Sequence, residues 1–393
     1  MSEPSYLRDD GFAAPRALFS EEHEMFRQTV RKFVEDELVP HHGAWEGAGV
    51  VPREAWRRAG EIGLLCPNVP TEYGGMGVDW LFNVVAIEEL ARAGITGPGF
   101  MVHSEMVAPY ILGFASEDTK RRWLPRMVTG EAIGALAITE PGAGSDAKNV
   151  RTRAVREGDD YVIDGQKVYI SNGQLADVMV LACRTDPGSG ARGVSLIALD
   201  TNQPGLKRGR NLDKIGMKAQ DTSEIFLEGA RAPASARLGE EGGGFAIMMT
   251  KLAQERLTQA VRSICVCEAA LRWTVAYTAE RKAFEGTIGD FQNTRFVLAD
   301  LAAETLSARV FTDWCIARFM AGELTPVEAA KVKLVVTNLH VKVVDQCLQF
   351  FGGYGYMTEY PIARAYIDAR VTRIAGGAAE VMKQIIGRDL FGG

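Results

Sequence analysis

The sequence predicts a mainly α-helical protein with a central β domain. Three observations carry this. Apolar residues recur at helical spacing before about position 130 and again after Gly244. Between those stretches lie short runs of β-branched and aromatic residues, and glycine and proline clusters mark the changes of texture. At 393 residues the chain exceeds one typical domain, and its 47% hydrophobic content supplies a large core. The expected division is a helical domain over 1–132, a β domain over 133–240 and a second helical domain over 241–393.

The first helix is predicted to start after Ser20. That serine is an N-cap, and Glu21 and Glu22 in the first turn complement the helix dipole. Met25, Phe26, Val30, Phe33 and Val34 then recur at the spacing of one buried face. Pro67, Pro70, Gly74, Gly75 and Gly77 interrupt the pattern as a loop, and a second helix is expected from Trp80 to about Ala93.

The β segment opens with the apolar run Ile133 to Ile138. Tyr161-Val162-Ile163 and Val168-Tyr169-Ile170 flank Asp164-Gly165, the dipeptide favoured in a type I′ turn, so a hairpin is predicted there. Further strands are expected at Val178–Cys183, Val194–Leu199 and Glu224–Leu227. Strands this close together, with turns between, predict a small β-barrel or sandwich rather than βαβ units. Gly142-Ala143-Gly144-Ser145-Asp146-Ala147 lacks the last glycine of a GxGxxG dinucleotide fingerprint, and no helix is expected after it.

Beyond Gly242-Gly243-Gly244 the chain turns helical again. Phe245 to about Arg281 reads as one long helix, apolar at Ile247, Met248, Leu252, Val261, Ile264 and Cys265. Phe291 to Met320 forms another, stopped by Gly322. Thr325-Pro326-Val327-Glu328 is a capping box with proline at the first helical position, and it opens a third helix toward Phe350.

A net charge of −6 leaves no basic excess to neutralise phosphates, which argues against a nucleic-acid partner. A local pocket for one nucleotide-like ligand remains compatible with it. The six cysteines (Cys66, Cys183, Cys265, Cys267, Cys315, Cys347) form no CxxC pair, so neither a metal site nor a disulfide framework is expected. Buried free thiols in a reducing compartment account for them. Met1 to Phe19 is polar, and Asp9-Asp10 opposes a transit peptide; no run reaches the roughly 18 apolar residues of a membrane span. The expectation is a soluble, cytoplasmic protein without a membrane partner.

Thr139-Glu140-Pro141-Gly142-Ala143-Gly144-Ser145-Asp146 is the most informative stretch. An apolar strand ends there in a turn whose glycines let backbone N–H groups approach an anionic ligand. By composition alone it also reads as an ordinary strand-ending turn. It is followed by Gly165-Gln166-Lys167-Val168-Tyr169-Ile170-Ser171-Asn172-Gly173, Arg281-Lys282-Ala283-Phe284, Phe291-Gln292 and Phe351-Gly352-Gly353-Tyr354-Gly355-Tyr356. These blocks in this order resemble the FAD-dependent acyl-CoA dehydrogenase family from about Ser20 to Leu390. The likeness is greatest to the long-chain type, through Lys218-Ala219-Gln220-Asp221-Thr222. It implies an N-terminal helical domain, a middle β-barrel domain and a C-terminal four-helix bundle. It also implies fatty acid β-oxidation chemistry, an electron-transfer flavoprotein as acceptor, and a homotetramer.

Dehydrogenating an acyl-CoA at Cα and Cβ needs a base for the α-proton, an acceptor for the β-hydride and donors for the thioester oxygen. No side chain accepts hydride, so a cofactor must; the resemblance supplies FAD, with N5 as the receiving atom. Most members of the family place the catalytic glutamate in a loop that corresponds here to Arg373-Ile374-Ala375-Gly376-Gly377-Ala378-Ala379-Glu380. Gly376 occupies its position and carries no proton acceptor. The long-chain type places it within a Glu-Arg-Leu run, matched by Glu255-Arg256-Leu257, so the resemblance assigns the base to Glu255. Without the resemblance, Glu255 also reads as a solvated helix residue paired with Lys251. The backbone N–H of Gly376 remains available as half of an oxyanion hole.

The resemblance carries further roles. Ile138 and Thr139 would meet the isoalloxazine edge, Gly144 the cofactor, and Ser145 the pyrophosphate or the pantetheine arm. Tyr169, Ile170 and Ser171 would flank the ring, although most members carry tryptophan in place of Tyr169. Arg281, Phe284, Gln292, Gln349, Gly352 and Gly353 would hold the adenine half of FAD on a neighbouring subunit. Glu380 lies among the FAD contacts, and Leu252, Ala253, Arg256 and Gly377 join Ser145 at the substrate. Glu285 and Ala378 depart from the family's usual glycine and threonine. His103 is expected to be structural. Two alternatives stay in view: a flavin acyl-CoA oxidase of the same fold, and a catalytically silent scaffold.

Overall fold

The computed structural model describes residues 16–392, so most of the polar stretch Met1 to Phe19 lies outside the described residues. Along the chain the helices are α1 (Glu21–Phe33), α2 (Val39–Ala48), α3 (Arg53–Glu61), α4 (Trp80–Arg92), α5 (Ala108–Phe114) and α6 (Glu117–Val128). Strands β1 (Gly134–Ala137), β2 (Arg153–Glu157), β3 (Asp160–Ser171), β4 (Val178–Arg184), β5 (Val194–Asp200), β6 (Leu206–Asn211), β7 (Thr222–Pro233) and β8 (Arg237–Leu238) follow. Then come α7 (Gly244–Glu280), the short pair β9 (Lys282–Ala283) and β10 (Gly286–Thr287), α8 (Gln292–Met320), α9 (Pro326–Phe351), α10 (Pro361–Ala369) and α11 (Ala379–Leu390). The order helical, β, helical is the expected one.

The chain divides into two compact units. One runs up to Val34 and includes Val84–Ile95 and everything from Ala253; the other comprises Glu35–Asn83 and Thr96–Leu252. In the second unit β1 to β8 form a single sheet of order β6-β7-β3-β2-β4-β5-β8, with β1 beside β4. Strand β4 is buried on both faces. Val178, Val180 and Ala182 enter a core shared with Val107, Tyr110, Ile111, Trp123 and Leu124 of the helices. Met179, Leu181 and Cys183 enter the opposite core with Tyr161, Ile163, Ile197 and Ile225. Side chains alternate across a strand, so a continuous apolar run signals two covered faces.

Two expectations are corrected here. Asp164-Gly165 is no turn: β3 runs straight through it, pairing with β2 on one side and β7 on the other, with a register shift between Ile163 and Gly165. A Cβ on Gly165 would lie 2.7 Å from the Thr152 Cα, so the glycine serves close strand approach rather than chain reversal. The hairpin turn lies earlier, at Gly158-Asp159 between β2 and β3, where Gly158 has φ +61. Met25 is the second correction. It is exposed on α1, and His23 takes its place beside buried Phe26, Val30 and Phe33. The His23 Nδ1 also accepts from the Ser20 backbone N–H at 3.0 Å, closing the N-terminal cap. Strands β2 and β6 are short and charged and give no alternating pattern; the sequence reading has no strand at either place.

In the other unit α9 packs against α8, α10 and α11. Its start matches the capping box, with Thr325 accepting from the Glu328 N–H at 3.2 Å and Glu328 from the Thr325 N–H at 2.8 Å. An ion network crosses this unit: buried Arg309 meets Glu268 and Glu88, and Glu88 also meets Arg16 at 2.7 Å and Arg27 at 2.9 Å. All six cysteines are free and buried. No helix among the described residues is long and apolar enough to cross a membrane.

Candidate active site

The octet after β1 is tied to β3 by hydrogen bonds. Glu140 and Ala143 exchange two backbone bonds of 3.0 and 3.1 Å, closing the turn. The Glu140 side chain points inward and accepts from the Arg151 and Thr152 N–H groups at 2.6 and 2.9 Å and from the Lys167 Nζ at 2.8 Å. The same Nζ donates to the Ile138 carbonyl at 3.1 Å, and the Val168 N–H donates to the Thr139 carbonyl at 3.0 Å. Ile138 and Thr139 are thereby seated next to Tyr169. That residue stands at φ +60 and is 68% exposed, in the irregular part of β3 between Lys167 and Ile170. A non-glycine residue in the left-handed region and an exposed aromatic ring are both unusual inside a strand, and strain of this kind collects at functional sites. Ile170 is buried in the sheet's core, where its carbonyl accepts from the Gly173 N–H at 3.1 Å, and Ser171 is half-buried opposite Thr222. Gly144 and Ser145 are exposed.

Glu255 and Arg256 lie on α7, and both are buried, at 5% exposure each. Burial lowers the pKa of the Arg256 guanidinium, and the charge of Glu255 raises it. This overturns the reading of Glu255 as a solvated helix residue. Lys251 lies over the Phe114 ring at 5.4 Å. Leu252 and Ala253, one turn before, are half-buried. In the unit that carries Glu255, the chain between Ile374 and Ala378 passes Gln259: a Cβ on Gly376 would sit 3.6 Å from its Cγ. Gly376 and Gly377 have φ +67 and +99, a conformation other residues rarely adopt. The Lys333 Nζ donates to the Gly377 carbonyl at 2.5 Å, and Lys333 feels the charges of Arg256 and Glu380. Arg256, Gly377 and Glu380, which the sequence groups, are thus joined through a residue the sequence reading misses. The available signal is a lysine at a position where Ala329, Ala330, Val336, Thr337 and His340 mark the buried face of α9.

A second group forms at the end of α7. The Arg281 guanidinium lies over the Tyr354 ring at 5.4 Å, and Tyr277 stacks on Phe351 with centroids 4.3 Å apart. Phe284 and Glu285 form the two-residue turn between β9 and β10. Phe284 is 96% exposed at φ +56, with its ring edge-on to Phe291 at 6.0 Å. Gln292, Gln349, Gly352 and Gly353 are exposed in the same unit. His103 is structural, as expected: its Nδ1 accepts from the Gly134 N–H at 3.0 Å, its Nε2 bonds the Met127 carbonyl at 3.0 Å, and burial lowers its pKa to about 4.

Three sequence models describe this arrangement: the acyl-CoA dehydrogenase N-terminal domain over residues 20–131, the middle domain over 135–230 and the C-terminal domain over 242–391. The long-chain specific acyl-CoA dehydrogenase of Mus musculus mitochondria is 44% identical over 377 residues, covering 95% of this chain and 88% of the mouse protein. The chain belongs to the acyl-CoA dehydrogenase family. Among solved structures, the acyl-CoA dehydrogenase of Geobacillus kaustophilus superposes with a TM-score of 0.94 at 44% identity, covering 96% of this chain and all of that one. A glutaryl-CoA dehydrogenase of Mycobacterium smegmatis, solved in complex with FADH2, gives 0.90 at 27% identity, covering 100% and 99%.

This acyl-CoA dehydrogenase is an enzyme whose cofactor is FAD and whose reaction is the α,β-dehydrogenation of an acyl-CoA. The residues present fit that group. At Gly142, Gly144, Gly352 and Gly353 a Cβ would meet no atom of the chain within 4 Å, so their missing side chains keep space that the protein's own packing does not use. Gly165 and Gly99, by contrast, are glycine because their own chain crowds them. Open glycines and, in each unit, an exposed aromatic residue at positive φ (Tyr169, Phe284) suit a flat, anionic dinucleotide approached by backbone N–H groups. Among the described residues no group of His, Cys, Asp and Glu side chains is arranged to hold a metal ion.

Proposed function

We propose that Glu255 is the base that removes the α-proton of the acyl thioester. The observation that carries this is a carboxylate 5% exposed on α7, in the same unit as a position 376 that bears only hydrogen. Glutamate is rarely this buried. In this reading the Gly376 N–H binds the thioester oxygen as negative charge develops on it, which requires no side chain. Bound FAD supplies the hydride acceptor. Ile138, Thr139, Gly144, Tyr169, Ile170 and Ser171 hold the flavin half, Ser145 its pyrophosphate or the pantetheine arm, and Glu380 contributes to the same cofactor. Leu252, Ala253, Arg256 and Gly377 face the substrate.

Arg281, Phe284, Gln292, Gln349, Gly352 and Gly353 are proposed to hold the adenine half of FAD bound to a neighbouring subunit of a homotetramer. Support comes from the exposed apolar side chains of α8, where Phe296, Leu306, Val310 and Trp314 are 40–61% exposed. Exposed apolar side chains on one helix support a face that another chain covers. Domain limits at 132 and 240, a cytoplasmic location and an electron-transfer flavoprotein as acceptor complete the proposal; buried free thiols support the reducing compartment.

The test is a yellow holoenzyme mixed anaerobically with acyl-CoAs of graded length, straight and branched, followed by dye acceptor and then O₂. Bleaching by acyl-CoA excludes the scaffold, and rapid reoxidation by O₂ would make the protein an oxidase. Ala246 and Ala253 are small, and each further buried methylene is worth about 0.8 kcal/mol, so efficiency is expected to rise from butyryl-CoA to medium or long chains.

A further inference from the structure

Lys333 stands about two turns into α9 with none of its surface exposed. Methionine or leucine would fill a similar volume without desolvating an ammonium group, so packing alone gives no reason for a lysine. Its Nζ reaches the Gly377 carbonyl, in a loop whose two consecutive glycines leave the backbone unusually free. Upstream the loop is tied by the Ala375 N–H, which donates to the Val371 carbonyl at 2.9 Å. Downstream it is tied by the Met382 N–H, which donates to the Ala378 carbonyl at 3.1 Å as α11 begins. The Lys333 bond falls between these two anchors and links the glycine pair to the buried face of α9.

We propose that Lys333 is a positioning residue, which fixes the direction of the Gly376 N–H toward the thioester oxygen by holding the Gly377 carbonyl. The proposal rests on the reading of Gly376 as an oxyanion donor. An N–H that stabilises developing charge must be held in place before the charge appears, because reorientation during the step would cancel much of the gain. The surrounding charges agree with this role. Burial and the adjacent Arg256 push Lys333 down to about 8, and Glu380 opposes them, so the ammonium sits among residues assigned to substrate and cofactor.

The experiment compares two ligands on holoenzyme: trans-2-octenoyl-CoA, which has the thioester carbonyl, and S-octyl-CoA, a thioether without it. Wild-type enzyme is expected to bind the first more tightly. In Lys333→Met the enoyl-CoA Kd should rise about tenfold and kcat should fall at least as far, with thioether affinity and flavin content unchanged. Lys333→Arg keeps the charge but moves the donor; it should fall between the two, and it carries the comparison where Lys333→Met does not fold. Equal weakening of both ligands would mean a generally loosened fold and would overturn the proposal, as would an unchanged preference for the carbonyl ligand. If wild-type enzyme shows no preference, the reading of Gly376 itself fails and this proposal with it.

Discussion

The Lys167 ammonium lies 2.8 Å from the Glu140 carboxylate, and both side chains are shut away from solvent beneath the octet turn. Burial works to raise the pKa of Glu140 and to lower that of Lys167. Lys167 and the backbone donors more than offset burial at Glu140, whose pKa ends below the usual carboxylate value. The pair joins β1, the turn and β3, so it sets where Ile138 and Thr139 stand.

Lys167→Met should therefore destabilise the protein by about 3 kcal/mol, because it leaves a buried carboxylate without its counter-charge. The apparent melting temperature is expected to fall by several degrees, with faster flavin release. Adding Glu140→Gln should recover part of the loss. Equal melting temperatures for the single variant and wild type would show that the two backbone donors to Glu140 suffice.

Glu255→Gln should lower turnover by about 10²–10⁴-fold while the yellow colour and the fold persist, since only the proton-accepting oxygen is lost. Stopped-flow bleaching by acyl-CoA measures this directly. Substantial remaining activity would sink the assignment. Gly376→Glu in that background restores a carboxylate at the other position and should return partial activity on shorter chains.

Arg281→Ala tests the second group of residues. Loss of the cation over Tyr354 should lower both flavin content and the assembled fraction. Excess FAD should restore assembly by mass action, as for any ligand that binds only the assembled state. Sedimentation and flavin absorbance report the two quantities, and a fully flavinated variant would assign Arg281 to capping α7 instead.

His340 is expected to make the protein acid-sensitive. It is buried, neither ring nitrogen has a hydrogen-bond partner, and burial with the nearby Arg262 charge lowers its pKa to about 3. The unfolded chain takes up this proton near pH 6.5 and the folded chain does not, so stability is lost as pH falls through the interval from about 6.5 toward 3. The slope from this one group approaches about 1.4 kcal/mol per pH unit. His340→Leu should flatten the fall in melting temperature between pH 6.5 and 5. An unchanged slope would assign the acid sensitivity to other groups.

By itself the sequence determined the order helical, β, helical and the ends of α7, α8 and α9; the family resemblance it carries is what proposes a base on α7 rather than in the loop at Gly376. These features are local: caps at Ser20 and Thr325, a stop at Gly322 and an apolar period of one face act within a few residues of chain. The tertiary structure decided what depends on neighbours distant in sequence. Asp164-Gly165 has the composition of a turn, but flanking β2 and β7 hold it extended, and the true turn lies at Gly158-Asp159. Met25 fits the apolar period of α1 and is nevertheless exposed, because the period marks a face without saying how wide a strip is covered. Nothing in the local sequence marks Lys333 or Lys167 as buried. Their acceptors, the Gly377 carbonyl and the Glu140 carboxylate, lie 44 and 27 residues away, and only folding brings them within reach.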